Sequence, residues 1–86
     1  MSKRSLTKGE VLMCKTVFDN SIVYGKVMVY HVSYFPFGAQ PNDVAMAPNG
    51  NIYFDPAGSL YKSDFSKADI HSKALFIHEM THVWQH

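Results

Sequence analysis

Two histidines and a glutamate near the end of the chain have the types and spacing of a metal site. Residues 78–82 read His-Glu-Met-Thr-His, which is the pattern H-E-x-x-H. In a helix this spacing puts His78 and His82 one turn apart on one face, where both imidazoles can bind a single ion. Glu79 lies on the flank of that face, where a carboxylate can accept a proton from a water acidified by zinc. The pattern therefore predicts His78 and His82 as zinc ligands and Glu79 as a general base.

The spacing does not supply a third protein ligand. His86 continues the same face, but its Cα would lie about 12 Å along a straight helix from that of His78. Zinc–nitrogen bonds are about 2.1 Å long, so one ion cannot take ligands from three successive turns of a straight helix. We interpret Asp69 and His71 as residues of the helix start. The other candidates within the chain are His31, Asp55 and Asp64.

The residues around this motif predict a central, buried helix from about residue 67 to residue 86. Ser66 and Asp69 resemble a capping pair at its start. Apolar side chains then fall nearly all round the helix axis, as is typical of a helix without a solvated face. The alternative to a metal site is a helix whose histidines are buried and hydrogen-bonded, since buried polar groups need partners. Because two histidines and a carboxylate share this setting, we favour the metal.

Other segments predict the elements that position this helix. Thr7 and Glu10 form the two halves of a capping box, which predicts a helix from about residue 8 to residue 19. Residues 26–34 are rich in β-branched and aromatic types and predict a strand, followed by a loop at 35–41. Residues 44–47 and 51–54 flank Asn49-Gly50, a strong hairpin signal. We therefore expect an α+β fold with an N-terminal helix, a small, mainly antiparallel three-stranded sheet between two helices, and a C-terminal buried active-site helix.

Length and composition limit the classes of protein and partner. The chain has 86 residues, 47% of them hydrophobic and 17% charged, which predicts one small globular domain over residues 1–86. A net charge of +1 gives no electrostatic footprint for nucleic acid. The apolar stretches are far shorter than the ~20 residues of a membrane span, and we see no cleavable secretory signal. Cys14 is the single cysteine, so we expect a buried apolar residue rather than a disulfide or a four-thiolate zinc site.

Residues 74–85, Ala-Leu-Phe-Ile-His-Glu-Met-Thr-His-Val-Trp-Gln, resemble the active-site helix of zincin metallopeptidases. More narrowly, the chain is similar to small Vgr-related or Rhs-associated proteins linked to type VI secretion in bacteria. This likeness covers most of the chain. It includes Leu-Thr-Lys-Gly-Glu at 6–10, Tyr-Phe-Pro-Phe-Gly at 34–38, Val-Ala-Met-Ala-Pro-Asn-Gly at 44–50 and Ile-Tyr-Phe at 52–54.

The resemblance implies a zincin-like half domain that hydrolyses peptide bonds with Zn²⁺ on His78 and His82 and with Glu79 as the general base. In related zincins the third ligand, often Glu or Asp, follows this helix, so we expect a chain truncated after the active-site helix. The resemblance also implies a secreted effector or toxin-associated protein. It would stay in the bacterial cytoplasm until export without a cleavable signal, and then reach a target cell. Its expected partners are a peptide or protein substrate and a component of the secretion apparatus or an immunity protein.

Two other functions stay open at this stage. One is a non-catalytic interaction or scaffold module that retains the zincin helix, binds zinc structurally or forms a homo-oligomer through the exposed end of that helix. The other is a metal hydrolase that acts on a non-peptide bond, because the motif fixes the attacking water but not the scissile bond. The sequence also does not choose an oxyanion stabiliser. The candidates, whose tyrosines we interpret mainly as packing residues, are Tyr24, Tyr30, His31, Tyr34, Tyr53 and Tyr61.

Overall fold

The computed structural model describes residues 3–35 and 44–86. Within these ranges the chain forms two α-helices, four short strands and two 3-10 helices at Tyr24–Lys26 and Phe65–Lys67. The α-helices are α1 (Lys8–Phe18) and α2 (Ile70–Gln85), and the strands are β1 (Lys3–Ser5), β2 (Met28–Tyr30), β3 (Ala45–Met46) and β4 (Ile52–Phe54). The fold class is α+β, as predicted.

Helix α1 begins at the predicted capping box. The Glu10 amide donates to Thr7 Oγ1 at 3.0 Å, and the Thr7 amide donates to Glu10 Oε1 at 2.9 Å. These two bonds satisfy amides that the first turn of a helix leaves without partners. Cys14 is fully buried on this helix, and burial raises the pKa of its thiol to about 12. Cys14 therefore behaves as the expected buried apolar residue.

The sheet has the strand order β1-β2-β4-β3 and is mainly antiparallel, as predicted. Strands β3 and β4 form the antiparallel hairpin that Asn49-Gly50 predicted. Strand β2 is shorter than the predicted 26–34, because residues 24–26 form a 3-10 helix before it and the strand pairing ends at Tyr30. The three-strand prediction was wrong by one strand, since β1 pairs antiparallel with β2, and β2 also pairs parallel with β4. The predicted loop at 35–41 lies outside the described residues after residue 35.

Both helices pack against the same face of the sheet. Strands β2 and β4 contribute Val29, Ile52 and Phe54 to one buried cluster that also contains side chains from α1 and α2. On the opposite face Tyr30 stacks on Tyr53 with ring centroids 4.6 Å apart. Strands β2, β3 and β4 therefore lie between the helices in the sequence, and β1 precedes α1, whereas in space both helices cover one side of the sheet.

The start of α2 differs from the prediction. Ser66 does not cap this helix, because its hydroxyl and its amide both donate to Asp64 Oδ1 within a separate 3-10 helix. Asp69 is the N-cap residue, and α2 begins at Ile70 rather than near residue 67. The preceding 3-10 helix is fixed to α2 by Phe65, whose ring stacks on that of Phe76 at 4.8 Å. This stack positions the motif helix against the core.

An ion pair between the partly exposed Arg4 and the fully buried Glu10 ties the first strand to α1 and to the segment before α2. Arg4 Nη1 and Nη2 donate to the two carboxylate oxygens of Glu10 at 2.9 and 3.0 Å. The amide of Phe65 also donates to Glu10 Oε2, at 2.8 Å. Glu10 has no solvent exposure, so these donors replace the water that the carboxylate loses on folding. Among the described residues, no helix has both the length and the apolar character needed to cross a bilayer.

Candidate metal centre

Helix α2 is buried along one face rather than all round its axis. Its buried side chains are Phe76, Glu79, Met80 and Val83. The opposite face is open because α1 and the sheet cover only one side of the helix. Ile70 and Trp84 are exposed over 72% and 52% of their surface, so the apolar residues round the axis do not mark a fully enclosed helix. His78 and His82 lie on the open face and are both exposed.

The two imidazoles have a separation that suits one shared ion. Their ring centroids are 5.0 Å apart, and the ring planes are inclined at 85°. A ring nitrogen about 2.1 Å from zinc puts the ring centroid about 3.2 Å from the ion, and two such rings at a tetrahedral angle have centroids about 5 Å apart. The separation of the His78 and His82 rings is therefore compatible with one zinc ion bound by both side chains.

Glu79 is buried beside this pair, with an exposed fraction of 6%. No hydrogen bond from the described residues reaches its carboxylate, and no side-chain oxygen among these residues is both buried and without a partner, so the carboxylate oxygens keep contact with solvent. Burial raises the pKa of the Glu79 carboxyl above its usual value, and the positive charge that His78 and His82 can carry partly offsets this rise. The other buried glutamate, Glu10, accepts hydrogen bonds from Arg4, Thr7 and Phe65. The Glu10 carboxylate is thus held by hydrogen bonds within the fold, whereas the Glu79 carboxylate is free to accept a proton.

The described residues contain no group of three His, Cys, Asp or Glu side chains that could hold a metal ion. His31 instead stacks on Tyr61, with ring centroids 4.1 Å apart. Asp55 Oδ1 accepts the amide of Ala57, and Asp64 accepts from Ser66 and Thr7. None of the three candidate third ligands joins His78 and His82.

His86 also stays outside the His78–His82 pair. Its ring lies beside the β3–β4 turn, where a Cβ built on Gly50 would be 3.2 Å from His86 Cδ2. Gly50 has a φ of 84°, a left-handed conformation that suits glycine. The hairpin turn and the end of α2 are therefore in close contact.

The candidate oxyanion stabilisers have other partners. Tyr24 donates its hydroxyl to the Asp19 carbonyl, and the Tyr61 hydroxyl accepts from Arg4 Nε. The ring of Tyr53 contacts the rings of Tyr30 and Tyr34. These contacts agree with the interpretation of the tyrosines as packing residues, and they do not select an oxyanion stabiliser.

A cleft between α1 and α2 was not predicted from the sequence. It has a volume of about 320 Å³ and is lined by Val17, Phe18, Ser21, Thr81 and Trp84. The rings of Phe18 and Trp84 are 6.4 Å apart across it. The available signal was Trp84, a large apolar residue near the end of the motif helix, although the sequence does not show that α1 would lie beside it.

Two comparisons relate this chain to one type VI secretion protein. The chain is 45% identical over 85 residues to the type VI secretion system spike protein VgrG2b of Pseudomonas aeruginosa PAO1, in a match that covers 96% of this chain and 8% of the spike protein. The solved effector domain of Pseudomonas aeruginosa VgrG2b matches with a TM-score of 0.87 and 44% identity. The effector domain is a homologue of this chain. No protein-family profile matches the chain.

The homology to VgrG2b confirms the predicted likeness to Vgr-related proteins of type VI secretion. The structural match covers 96% of this chain and 45% of the effector-domain chain. This chain therefore spans less than half of that domain and a small part of the spike protein. The zincin assignment and the zinc peptidase activity stay predictions.

Proposed function

We propose that this chain is the zinc-dependent metallopeptidase-like domain of a type VI secretion effector and that it hydrolyses peptide bonds. The observation that carries the proposal is the arrangement of three side chains on α2. Two exposed imidazoles have ring centroids 5.0 Å apart, and the largely buried Glu79, whose carboxylate oxygens keep contact with solvent, lies next to them in the helix. Packing does not require this combination, whereas peptide hydrolysis at a zinc ion does.

In this mechanism His78 and His82 hold the ion through ring nitrogens. When bound, zinc polarises the scissile carbonyl and lowers the pKa of the attacking water towards ~7. Glu79 accepts a proton from that water and passes it to the leaving amine. The burial that raises the pKa of the Glu79 carboxyl favours the first transfer, and the lack of a competing hydrogen bond leaves its oxygens available.

The homology supports the second half of the proposal, delivery as an effector. VgrG2b is a spike protein of type VI secretion, and the matching structure is its effector domain. We infer that this chain associates with a secretion apparatus and reaches a target cell. A peptide or protein is its substrate, and an immunity protein in the producing cell is a further partner.

The proposal is tested by measuring zinc per chain and hydrolysis of a general protein substrate for the wild type, Glu79→Gln and His82→Ala. Glu79→Gln should retain zinc and lose about 10²–10⁴-fold in turnover, the usual contribution of a general base. His82→Ala should lose both zinc and turnover, because it removes one of two ligands. His71→Ala is the matched control, since His71 is exposed on the same helix and should be dispensable. Equal turnover by Glu79→Gln and the wild type would remove Glu79 from the mechanism.

A non-catalytic interaction module is the second candidate. Two observations favour this candidate. Residues 3–35 and 44–86 bring together two candidate metal ligands rather than three, and Trp84 is exposed beside the α1–α2 cleft. Such a module would sediment as a concentration-dependent oligomer in the absence of metal. It would bind no zinc above background, or would bind zinc without hydrolysing amides or esters. Zinc-dependent cleavage of an amide substrate would exclude it.

A further inference from the structure

We propose that the cleft between α1 and α2 binds one large, uncharged apolar side chain of a peptide, and that in the proposed function this peptide is the substrate. The inference rests on the proposed function for the identity of the peptide, whereas binding of the side chain can be measured without turnover. It names a class of substrate, which is a peptide with leucine or phenylalanine close to the scissile bond.

The position of the cleft is the first argument, because the cleft begins at the metal motif itself. Thr81 lines the cleft and directly precedes His82 in the motif, and the Cα atoms of adjacent residues are about 3.8 Å apart. At about 100° per residue, Thr81 lies on one flank of the face that carries His78 and His82, and Glu79 lies on the other flank. An extended peptide advances about 3.3 Å per residue. A side chain one or two residues from the scissile bond can therefore enter the cleft.

The chemistry of the walls is the second argument. Phe18 and Trp84 have ring centroids 6.4 Å apart across the cleft, and Val17 and Trp84 keep 58% and 52% of their surface exposed. The Thr81 hydroxyl already donates to the Ile77 carbonyl at 3.0 Å. The described residues that line the cleft include no charged side chain. An apolar side chain is stabilised by covering these walls, whereas a charged one would lose its hydration without gaining an ion pair.

The size of the cleft is the third argument. Its volume of about 320 Å³ equals that of about ten water molecules at about 30 Å³ each. This volume lies at the lower end of the range of about 300–1,000 Å³ for ligand pockets, so the cleft suits one large side chain rather than a folded segment. Leucine and phenylalanine displace much of this water, whereas alanine leaves most of it in place.

The test uses Trp84 as its reporter, because it is the single tryptophan of the chain and lines the cleft. Blocked peptides Ala-Ala-Xaa-Ala-Ala, with Leu, Phe, Ala, Asp or Lys at Xaa, are titrated into the Glu79→Gln chain with and without zinc chloride. The Leu and Phe peptides should shift the tryptophan emission to shorter wavelength and bind about 10–100-fold more tightly than the Ala peptide. The Asp and Lys peptides should cause no shift. For the zinc-loaded wild type, kcat/KM should follow the same order.

Val17→Glu and Leu12→Glu form a matched pair of variants. Both residues lie on α1 and are 58% exposed, and of the two only Val17 lines the cleft. Val17→Glu should reduce the preference for Leu and Phe over Ala by about 10-fold and should strengthen binding of the Lys peptide, because it puts a carboxylate on an apolar wall. Leu12→Glu should keep the preference of the wild type.

These measurements separate this inference from the proposed function. Hydrolysis of all the peptides without preference, with unchanged emission from Trp84, would overturn the role of the cleft and leave the peptidase proposal standing. Preferential binding of the Leu and Phe peptides, with no hydrolysis by the zinc-loaded wild type, would support the cleft as a peptide-binding site and refute the peptidase. Equal losses of preference in Val17→Glu and Leu12→Glu would overturn the assignment to the cleft. Absence of both binding and hydrolysis would overturn both proposals.

Discussion

Replacing each of the two buried glutamates by glutamine should distinguish a carboxylate that the fold requires from one that it does not. Glu10 receives both terminal nitrogens of Arg4 at 2.9 and 3.0 Å, together with the amides of Thr7 and Phe65. Glutamine at position 10 keeps the size of the side chain but exchanges one acceptor oxygen for a donor. It also removes the negative charge that pairs with Arg4. At least one existing donor then faces another donor in a site with no solvent exposure.

The expected cost of Glu10→Gln follows from these contacts. Loss of one partner from a buried ion pair costs about 3–5 kcal/mol, and a single hydrogen bond to a charged group contributes about 1.5–3 kcal/mol. Because glutamine keeps one acceptor, we expect a loss of about 3 kcal/mol. A domain of this size has a total stability near the low end of about 5–15 kcal/mol. At about 4–8 °C per kcal/mol, the unfolding midpoint should fall by about 12–24 °C.

Glu79→Gln should behave differently. The Glu79 carboxylate has no hydrogen-bond partner among the described residues, and its burial opposes ionisation. Glutamine therefore removes a charge that the fold does not pair. We expect the free energy of unfolding to stay within about 0.5 kcal/mol of the wild type or to rise. Urea unfolding followed by circular dichroism, with EDTA present to exclude metal linkage, measures both variants. An equal loss for the two variants would show that Glu79 has a structural partner and would refute the reasoning.

Two further predictions concern the ends of the elements. Asp19 has a φ of 51° and a ψ of −126°, a conformation that glycine adopts more readily than other residues. Asp19→Gly should therefore raise the free energy of unfolding by about 1 kcal/mol, as measured by urea unfolding. Asp19→Ala should bring no such gain. The Ser66 hydroxyl, with that of Thr7, holds the pKa of the Asp64 carboxyl below its usual value. This stabilisation is complete above the unfolded pKa of about 3.9 and is lost as the pH falls through the folded pKa. Asp64→Asn should therefore cost up to about 1 kcal/mol at pH 7 and progressively less below about pH 4, and a pH-independent difference would contradict this assignment.

The parts of the fold that the sequence predicted are those set by local chemistry. The capping box of Thr7 and Glu10 defines the start of α1, because both partners lie within one turn. Asn49-Gly50 defines the β3–β4 hairpin, because the turn needs a positive φ that Gly50 provides. The motif helix was predicted for the same reason, since its length and apolar content exceed those of any strand. Each of these signals is contained within a few residues.

The parts that the sequence did not predict depend on distant contacts. Strand β1 has three residues, too few to show a period of two, and it is a strand because Arg4 pairs with Val29 across the sheet. The parallel register of β2 and β4 is set by the core rather than by a turn. Ser66 was predicted to cap α2 because Asp69 follows it by three residues. In the structure its hydroxyl instead donates a hydrogen bond to the nearer Asp64.

The candidate site was predicted in its residues but not in its surroundings. Spacing alone put His78 and His82 on one face, and it could not show that this face would be open. Apolar residues nearly all round an axis predict burial without choosing a side, whereas the fold covers Phe76 and Met80 and leaves the histidines exposed. Nor could the sequence show that Glu10 would be fully paired and Glu79 unpaired. That difference arises because Arg4, on the strand before α1, and the amide of Phe65, distant in the sequence, both donate to Glu10.

The strongest physical reason to assign a function to α2 is that its folding does not need these three side chains. The free energy that holds the helix in place comes from its buried apolar side chains, such as Phe76 against Phe65. The exposed imidazoles of His78 and His82 bury little area, and an unpaired carboxylate at position 79 opposes burial. A helix selected for stability alone would have an apolar residue at 79 and any polar residue at 78 and 82. Proteins commonly accept such unfavourable groups at sites where a ligand uses them. We propose that a divalent cation, held by the two histidines beside Glu79, is that ligand.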